Sequence, residues 1–402
     1  MVSFLSVERP GPCHAAHGLA SACSKTHAVP GAPAPVWRWR APGLPPARAC
    51  DRAGQLRTSL TQGQPCAGWR AALIALCIGL VLSAAAQAAG CPGPRLRFEP
   101  LGPGLWRVPA FVGEADAANR GQVSNLVLAL GDGAAGGRLW ALGSGPSPAF
   151  GQALACQARQ QLGATLTDIV SPWARPELVL GANGVASEAA RRGVVLRHWA
   201  HAAVADAMAE QCPRCVDRLR QRLQDASVDL DDPDAPGADP IPLPTDRLTG
   251  EQGDLGPFHW WRLPRADGRW VTVWRARSQP LWVAPGLLGD GGPPDGRDAD
   301  LALMRQSARA LATLAAPDGA SARFVGEQGP VLDSGAPARH AAYWDTLLTT
   351  ALAAVERGDD EAAPAPALPG FPASWAGHPW HGFNWQRAWR QVESLVFGAP
   401  GP

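Results

Sequence analysis

Within Ser171-Pro172-Trp173-Ala174-Arg175-Pro176-Glu177-Leu178 the chain sets an indole, a guanidinium and a carboxylate close together. Two chemistries suit that trio. Arg175 and Glu177 can pair with each other as a local ionic tie, with Trp173 as apolar filling. Alternatively, Arg175 receives an anion through two parallel hydrogen bonds while Trp173 offers a stacking face. Residue types and spacing leave both open, and the ion pair is the simpler.

Cysteine and histidine supply the other candidates. Cys212-Pro213-Arg214-Cys215 has the spacing of a redox dithiol, half a zinc knuckle or a disulfide. The sequence holds no second C-x-x-C, which makes the knuckle a poor reading. Val216 rather than His follows Cys215, which removes the c-type haem pattern. In an exported chain a disulfide is the default, at Cys212–Cys215 or in exchange with Cys91 and Cys156, and the connectivity stays open. His378-Pro379-Trp380-His381 has two imidazoles near each other, but an aromatic tail of this kind more commonly packs than ligates. The sequence has no Walker loop, GxSxG elbow or dinucleotide fingerprint.

These residues need elements to hold them. Leu105–Pro109, Val123–Leu130 and Arg138–Leu142 read as strands of a meander, with a turn at Gly143-Ser144-Gly145. A helix is predicted over Ala149–Leu162, then a strand at Leu166–Val170 that delivers the Trp173 loop at its carboxyl end, where sites of open α/β sheets lie. Another strand is predicted over Arg191–Leu196, leading to Trp199-Ala200-His201. Trp270–Trp274 and Pro280–Ala284 alternate as strands, and a helix from about Ala341 to Arg357 closes the domain.

The bulk numbers narrow the class. The chain has 402 residues, 46% hydrophobic and 18% charged, with a formal net charge of +1. That near-balance gives no footprint for nucleic acid or an anionic membrane surface. Residues 1–89 hold eight basic against two acidic residues, the asymmetry of a tail or targeting region. Ala71–Ala89 has no charged residue, Arg70 precedes it, and Ala86-Gln87-Ala88 ends it. Residues 67–89 therefore read as a signal peptide cleaved after Ala88, which implies export to the periplasm or beyond. Membrane attachment would need an uncleaved segment or lipidation of Cys91, for which Ala88 is a poor third-upstream residue. Residues 1–66 show no sustained period and are expected to be a disordered leader or the product of a start assigned too far upstream. A folded body over 91–358 precedes a Pro/Ala-rich linker and aromatic tail over 359–402.

Over roughly residues 96–357 these segments resemble the metallo-β-lactamase superfamily. Val123-Ser124-Asn125 is similar to the start of a core strand in that family, and Leu142-Gly143-Ser144-Gly145 to its D-[ST]-G turn, with Gly143 in place of Asp. The 171–181 loop resembles its His-x-His-x-Asp-His loop, and Phe324-Val325-Gly326-Glu327-Gln328-Gly329-Pro330-Val331 its Pro-Gly-His-Gly-Pro-Val loop. The resemblance implies an α/β (α+β) fold, a four-layer αββα sandwich. It also implies zinc, yet the inferred ligand positions hold Trp173, Arg175, Glu177, Leu178, His201, Gly286 and Gln328. Only Glu177 and His201 are of a ligating type, too few for a zinc site. Arg175 would add a permanent cation where the metal belongs. No cofactor, metal ligand or catalytic residue is therefore predicted, and these seven read as vestigial metal-loop positions or a pocket. Cys212-x-x-Cys215, Pro293–Asp298 and Trp380–Asn384 resemble the periplasmic, sulfur-oxidation and quinoprotein-associated members. The expectation is an exported, non-catalytic binding or accessory protein, with a small molecule or a periplasmic protein as partner. The alternative is a metallo-hydrolase of an ester, thioester or lactone with a non-standard metal site.

Overall fold

The computed structural model describes residues 90–131, 137–224 and 241–398, except the side chains at 215, 218, 220 and 222–224. All belong to the unit Leu76–Pro402. The expected leader over 1–66 and signal peptide over 67–89 lie outside the described residues.

Apolar strands organise the molecule. Leu126-Val127-Leu128-Ala129-Leu130 carries no polar residue because both its faces are covered. Successive side chains of a strand point to opposite faces. Leu126 and Leu128 accordingly join the core shared with the helices, while Val127 and Ala129 join a core between two sheets. Leu139 and Ala141 against Trp140 and Leu142, and Val271 and Val273 against Trp274 and Ala276, divide in the same way.

The first sheet has seven strands in sequence order: β1 (Glu99–Gly102), β2 (Leu105–Val108), β3 (Leu126–Leu130), β4 (Arg138–Leu142), β5 (Thr165–Val170), β6 (Arg197–His201) and β7 (Asp246–Leu248). It is antiparallel to β4 and parallel beyond. The second has six: β8 (Gln252–Leu255), β9 (Phe258–Ala266), β10 (Arg269–Ala276), β11 (Leu281–Val283), β12 (Arg323–Val325) and β13 (Val331–Leu332), running β13-β12-β11-β10-β9-β8 across the sheet. Helices α1 (Pro148–Leu162) and α3 (Ala182–Arg191) pack on β5, with α2 (Pro176–Val179) between them in sequence, and α4 (Ala202–Gln224) follows β6. On the second sheet α5 (Leu301–Ala315) packs against β9, α6 (Ala336–Arg357) against α5, and α7 (Pro379–Phe397) against α6. The result is the expected αββα sandwich.

Two sequence expectations shift. The strand predicted over Arg191–Leu196 is β6, at Arg197–His201. Arg191 ends α3, Gly193 turns the chain at φ 66°, and Val195 is 83% exposed, so the apolar triplet Val194-Val195-Leu196 precedes the strand. The closing helix begins at Ala336 rather than Ala341, with Pro337 in its first turn, where a missing N–H costs nothing.

The tail is part of the core. Trp385, Trp389 and Val392 of α7 are buried in the same cluster as Trp344 and Leu347 of α6. Asn384 hydrogen-bonds the Tyr343 hydroxyl at 3.0 Å and the Pro294 carbonyl at 2.8 Å, and accepts from the Gly296 N–H at 2.9 Å. Both tail histidines are used structurally. His378 Nδ1 caps α7 at the Trp380 N–H, and His381 bridges the Tyr343 hydroxyl and the Pro366 carbonyl.

Of the cysteine pairings left open, Cys91–Cys156 is present, with Cα atoms 5.6 Å apart, and it fastens the start of the body to α1. Cys212 is buried in α4, while the Cys215 side chain lies outside the described ones. The bridge closes a span of 65 residues. Replacing Cys156 by Ser is expected to cost about 2–5 kcal/mol, read by urea denaturation with and without reductant. The wild type should lose a similar amount on reduction and the variant should be insensitive.

Candidate functional site

β5 ends at Val170 and releases the Ser171–Gly181 segment toward the second sheet. The Thr272 N–H and hydroxyl both donate to the Pro172 carbonyl, at 2.8 and 3.0 Å, and pin the loop to β10. Pro176 opens the one-turn α2, whose residues are all buried, so Arg175 stands just before a helix start and points inward.

Arg175 is the centre of the site. Its Nε lies 3.4 Å from Glu177, its Nη1 3.4 Å from Asp295, and its Nη2 3.7 Å from Glu327. Glu177 and Glu327 are buried and Asp295 nearly so, while the Arg175 side chain is 15% exposed. Burial opposes the guanidinium charge, but Glu327, Glu177 and Asp295 outweigh it and raise the Arg175 pKa above its ordinary value. Burial likewise works to raise Asp295, and Arg175, Arg297 and Arg265 overcome it, holding that carboxyl well below the usual range. Glu327 keeps the upward shift that burial imposes, which Arg175 only partly offsets. The Arg175–Glu177 tie foreseen from sequence is therefore one arm of a three-carboxylate cage.

Each carboxylate is held by its own loop. Asp295 receives Arg297 through Nε at 3.1 Å and Nη2 at 2.9 Å, and the Asn384 clamp fixes the backbone on either side. Arg297 also reaches Glu114 at 2.9 Å and lies 4.0 Å over the Trp380 ring. Glu327 is fixed through its backbone, which donates to Leu288 and accepts from the Asn125 N–H. Gln328 makes two reciprocal hydrogen bonds with Gly113, at 2.8 and 2.9 Å, and holds the 109–122 loop over the cluster.

The other positions singled out from sequence explain one another sterically. Gly286 has φ 75°, and a Cβ there would stand 2.9 Å from the Trp173 ring. Gly143 has φ 87°, and a Cβ would stand 2.6 Å from Leu126 and 2.9 Å from the buried Leu178. Trp173 and Leu178 thus fill the space that longer side chains at 286 and 143 would need. His201 does not join the group. Its Nδ1 accepts from the Ala203 N–H, its Nε2 faces the Gly250 carbonyl at 3.0 Å, and its ring sits against Trp260. Ser171 and His198, 2.8 Å apart, are buried beneath the loop and line no cavity with Arg175. Among the described residues no three His, Cys, Asp or Glu side chains are grouped to hold a metal ion. Zinc does not fit this donor set, because the guanidinium occupies the middle of the carboxylates and Trp173 abuts Gly286.

Outside the cage lies a cavity of about 590 Å³. Trp173, Arg175 and Glu177 form one wall, and Ala207, Gln211 and Arg214 on one face of α4 another. Arg265, Arg269, Trp270, Arg297 and Asp298 complete it. Sequence reasoning missed Asp295 and Glu327 as partners of Arg175, and it missed β9 and Arg265 altogether. The signal for Arg265 is its phase: it follows the buried Leu263 by two residues, so a cation falls on an inward position.

Two outcomes are expected. Gly286→Asp should destabilise the protein by about 2–4 kcal/mol through overpacking and strain at positive φ, with partial recovery in the Trp173→Ala background, measured by thermal unfolding. Burial lowers His198 and His340 from 6.5 to about 4. The unfolded chain then takes up protons first as pH falls, so each histidine removes stability between pH 6.5 and 4, by about 1.4 kcal/mol per unit. His340→Gln should flatten that slope in urea titrations.

No protein-family model matches the sequence, and no curated protein matches it. Solved structures similar to it include a metallo-β-lactamase of Pseudomonas aeruginosa in its mono-zinc form, 14% identical, covering 63% of this chain and 97% of that one with a TM-score of 0.46. A metallo-β-lactamase of Hirschia baltica is 12% identical, covering 62% and 98% with a TM-score of 0.45. One of Pontibacter korlensis has the same identity and score, covering 62% and 99%. Likeness at this level says nothing of chemistry, and the αββα architecture stands on the sheet orders and layers of the chain itself.

Proposed function

We propose that this chain is an exported αββα protein that binds a ligand rather than hydrolysing one with a metal. The observation that carries this reading is the Arg175 cage. Three carboxylates that would otherwise attract a cation already surround one that is part of the chain. A guanidinium does not lower the pKa of a bound water toward neutrality as zinc does, nor does it leave an open coordination position. Export is supported by the composition of 67–89, and the Cys91–Cys156 bridge suits an oxidising compartment.

Metal analysis of the purified protein tests the reading, together with assays on ester, thioester and lactone substrates. Less than about a tenth of an equivalent of zinc, and no turnover that zinc stimulates, is expected. Near-stoichiometric zinc that disappears on His201→Ala would overturn it. The cage has its own check. Arg175→Met should cost about 3–5 kcal/mol at neutral pH, because Glu177 and Glu327 lose their cation and Asp295 is left with Arg297. Burial already raises the Glu327 pKa and Arg175 offsets that, so without Arg175 it rises further and the deficit against wild type should shrink as pH falls from 7 to 5.

A further inference from the structure

Arg265 is a buried cation whose hydrogen-bonding capacity is largely unused. It is 2% exposed, it lines the cavity, and its Nη2 donates to the Asp295 carbonyl at 2.8 Å. Its Nε and Nη1 are buried with no hydrogen-bond partner. Burial lowers its pKa, and the nearby Asp295 only partly offsets that. Arg175 is differently placed, since each of its three nitrogens faces a carboxylate. Both guanidiniums lie over the Trp173 ring, 4.7 Å away for Arg175 and 4.6 Å for Arg265.

The backbone aims Arg265 deliberately. Ala266 pairs with Arg269 and Pro264 with Trp270, so Arg265 is the extra residue of a bulge. Bulges re-aim a side chain next to functional sites. The Arg265 carbonyl accepts from the Asp300 N–H at 3.0 Å, and the Ser307 hydroxyl donates to the Pro264 carbonyl, which locks the bulge against α5. Around this residue the cavity wall gathers five arginines, of which Arg175 and Arg297 are already paired with carboxylates, leaving Arg265, Arg214 and Arg269 against Asp298. Arg214 and Arg269 form no ion pair among the described residues, and both are exposed.

We propose that this cavity binds a small organic polyanion bearing at least two carboxylate or phosphate groups, one taken by an unpartnered N–H of Arg265 and another by Arg214 and Arg269. The inference deepens the binding function proposed above and rests on it. An oxyanion supplies an acceptor that Arg265 lacks, and the two unpartnered nitrogens, Nε and Nη1, lie on different edges of the guanidinium, so each takes a single contact. The cavity volume falls in the range of small-molecule sites, roughly 300–1,000 Å³. The arginines converge from α4, β9, β10 and the 297 loop onto one hollow, whereas a nucleic-acid footprint is a basic stripe on a basic domain.

Calorimetric titration of the full chain in metal-stripped chloride buffer tests this with acetate, inorganic phosphate, pyrophosphate and citrate. Pyrophosphate or citrate should bind about tenfold or more tightly than phosphate or acetate, and the better of the two identifies the group as phosphate or carboxylate. The Arg214→Gln/Arg269→Gln double variant changes exposed side chains only, so it should fold normally and bind its best probe about tenfold more weakly. Arg265→Met should abolish the ligand-induced rise in Tm without lowering Tm in the absence of ligand, since it removes a poorly satisfied buried charge. A purely structural arginine would instead lower that baseline. No heat from any probe at about 10 mM, or an affinity unchanged in the double variant, overturns the proposal. Zinc in the purified protein would sink the metal-free reading alone, because the titration is run without metal and is decided by the arginine variants.

Discussion

A full positive charge that cannot be deprotonated sits inside this protein, and much of the architecture around it follows from the need to neutralise it. An isolated buried ion costs many kcal/mol, so a buried guanidinium requires counter-charges at close range. Arg175 obtains them from its own loop, from the segment before α5 and from the turn between β12 and β13. None of these segments has the regular hydrogen bonding to hold a side chain by itself. Each is therefore braced: Asn384 for the Asp295 segment, Asn125 and Leu288 for the Glu327 turn, and Thr272 for the Trp173 loop. The C-terminal helix belongs to this arrangement, since it carries Asn384 and the Trp380 ring beneath Arg297.

The electrostatics divide at one indole. At Arg175, which also lines the cavity, each nitrogen faces a carboxylate. On the side of Arg265, a cation of the same type faces a hollow with donors to spare. Stability alone would favour replacing such a residue by a hydrophobic one of similar volume. A bulge locked to α5 retains it in place, and that combination gives the cavity a polarity distinct from the cage behind it.

How much of this the sequence discloses depends on distance along the chain. β3, β4 and β10 are legible because strands covered on both faces must be apolar. β6 is not, because Arg197-His198-Trp199-Ala200-His201 reads as polar. Its imidazoles are satisfied by Ser171, the Ala203 N–H and the Gly250 carbonyl, partners that a local pattern does not contain. β9 hides for a related reason: a proline lies within it, and one of its buried positions is held by the cation Arg265. At the site, Arg175 and Glu177 are visible as a pair because they are two residues apart. Asp295 and Glu327 belong to distant loops, and only the folded topology brings them to the same guanidinium.

The contact between Gly286 and Trp173 has a further meaning for what changes the site tolerates. An acidic side chain at 286 meets the indole, and an imidazole at 175 leaves Glu177 and Glu327 without their guanidinium. A smaller residue at 173 removes the ring under both arginines. Each single replacement toward a metal-binding constellation is thus penalised by the residues not yet replaced. The site behaves as an epistatic lock: its positions specify one another, and a different chemistry on this scaffold is reached only by exchanging several of them together.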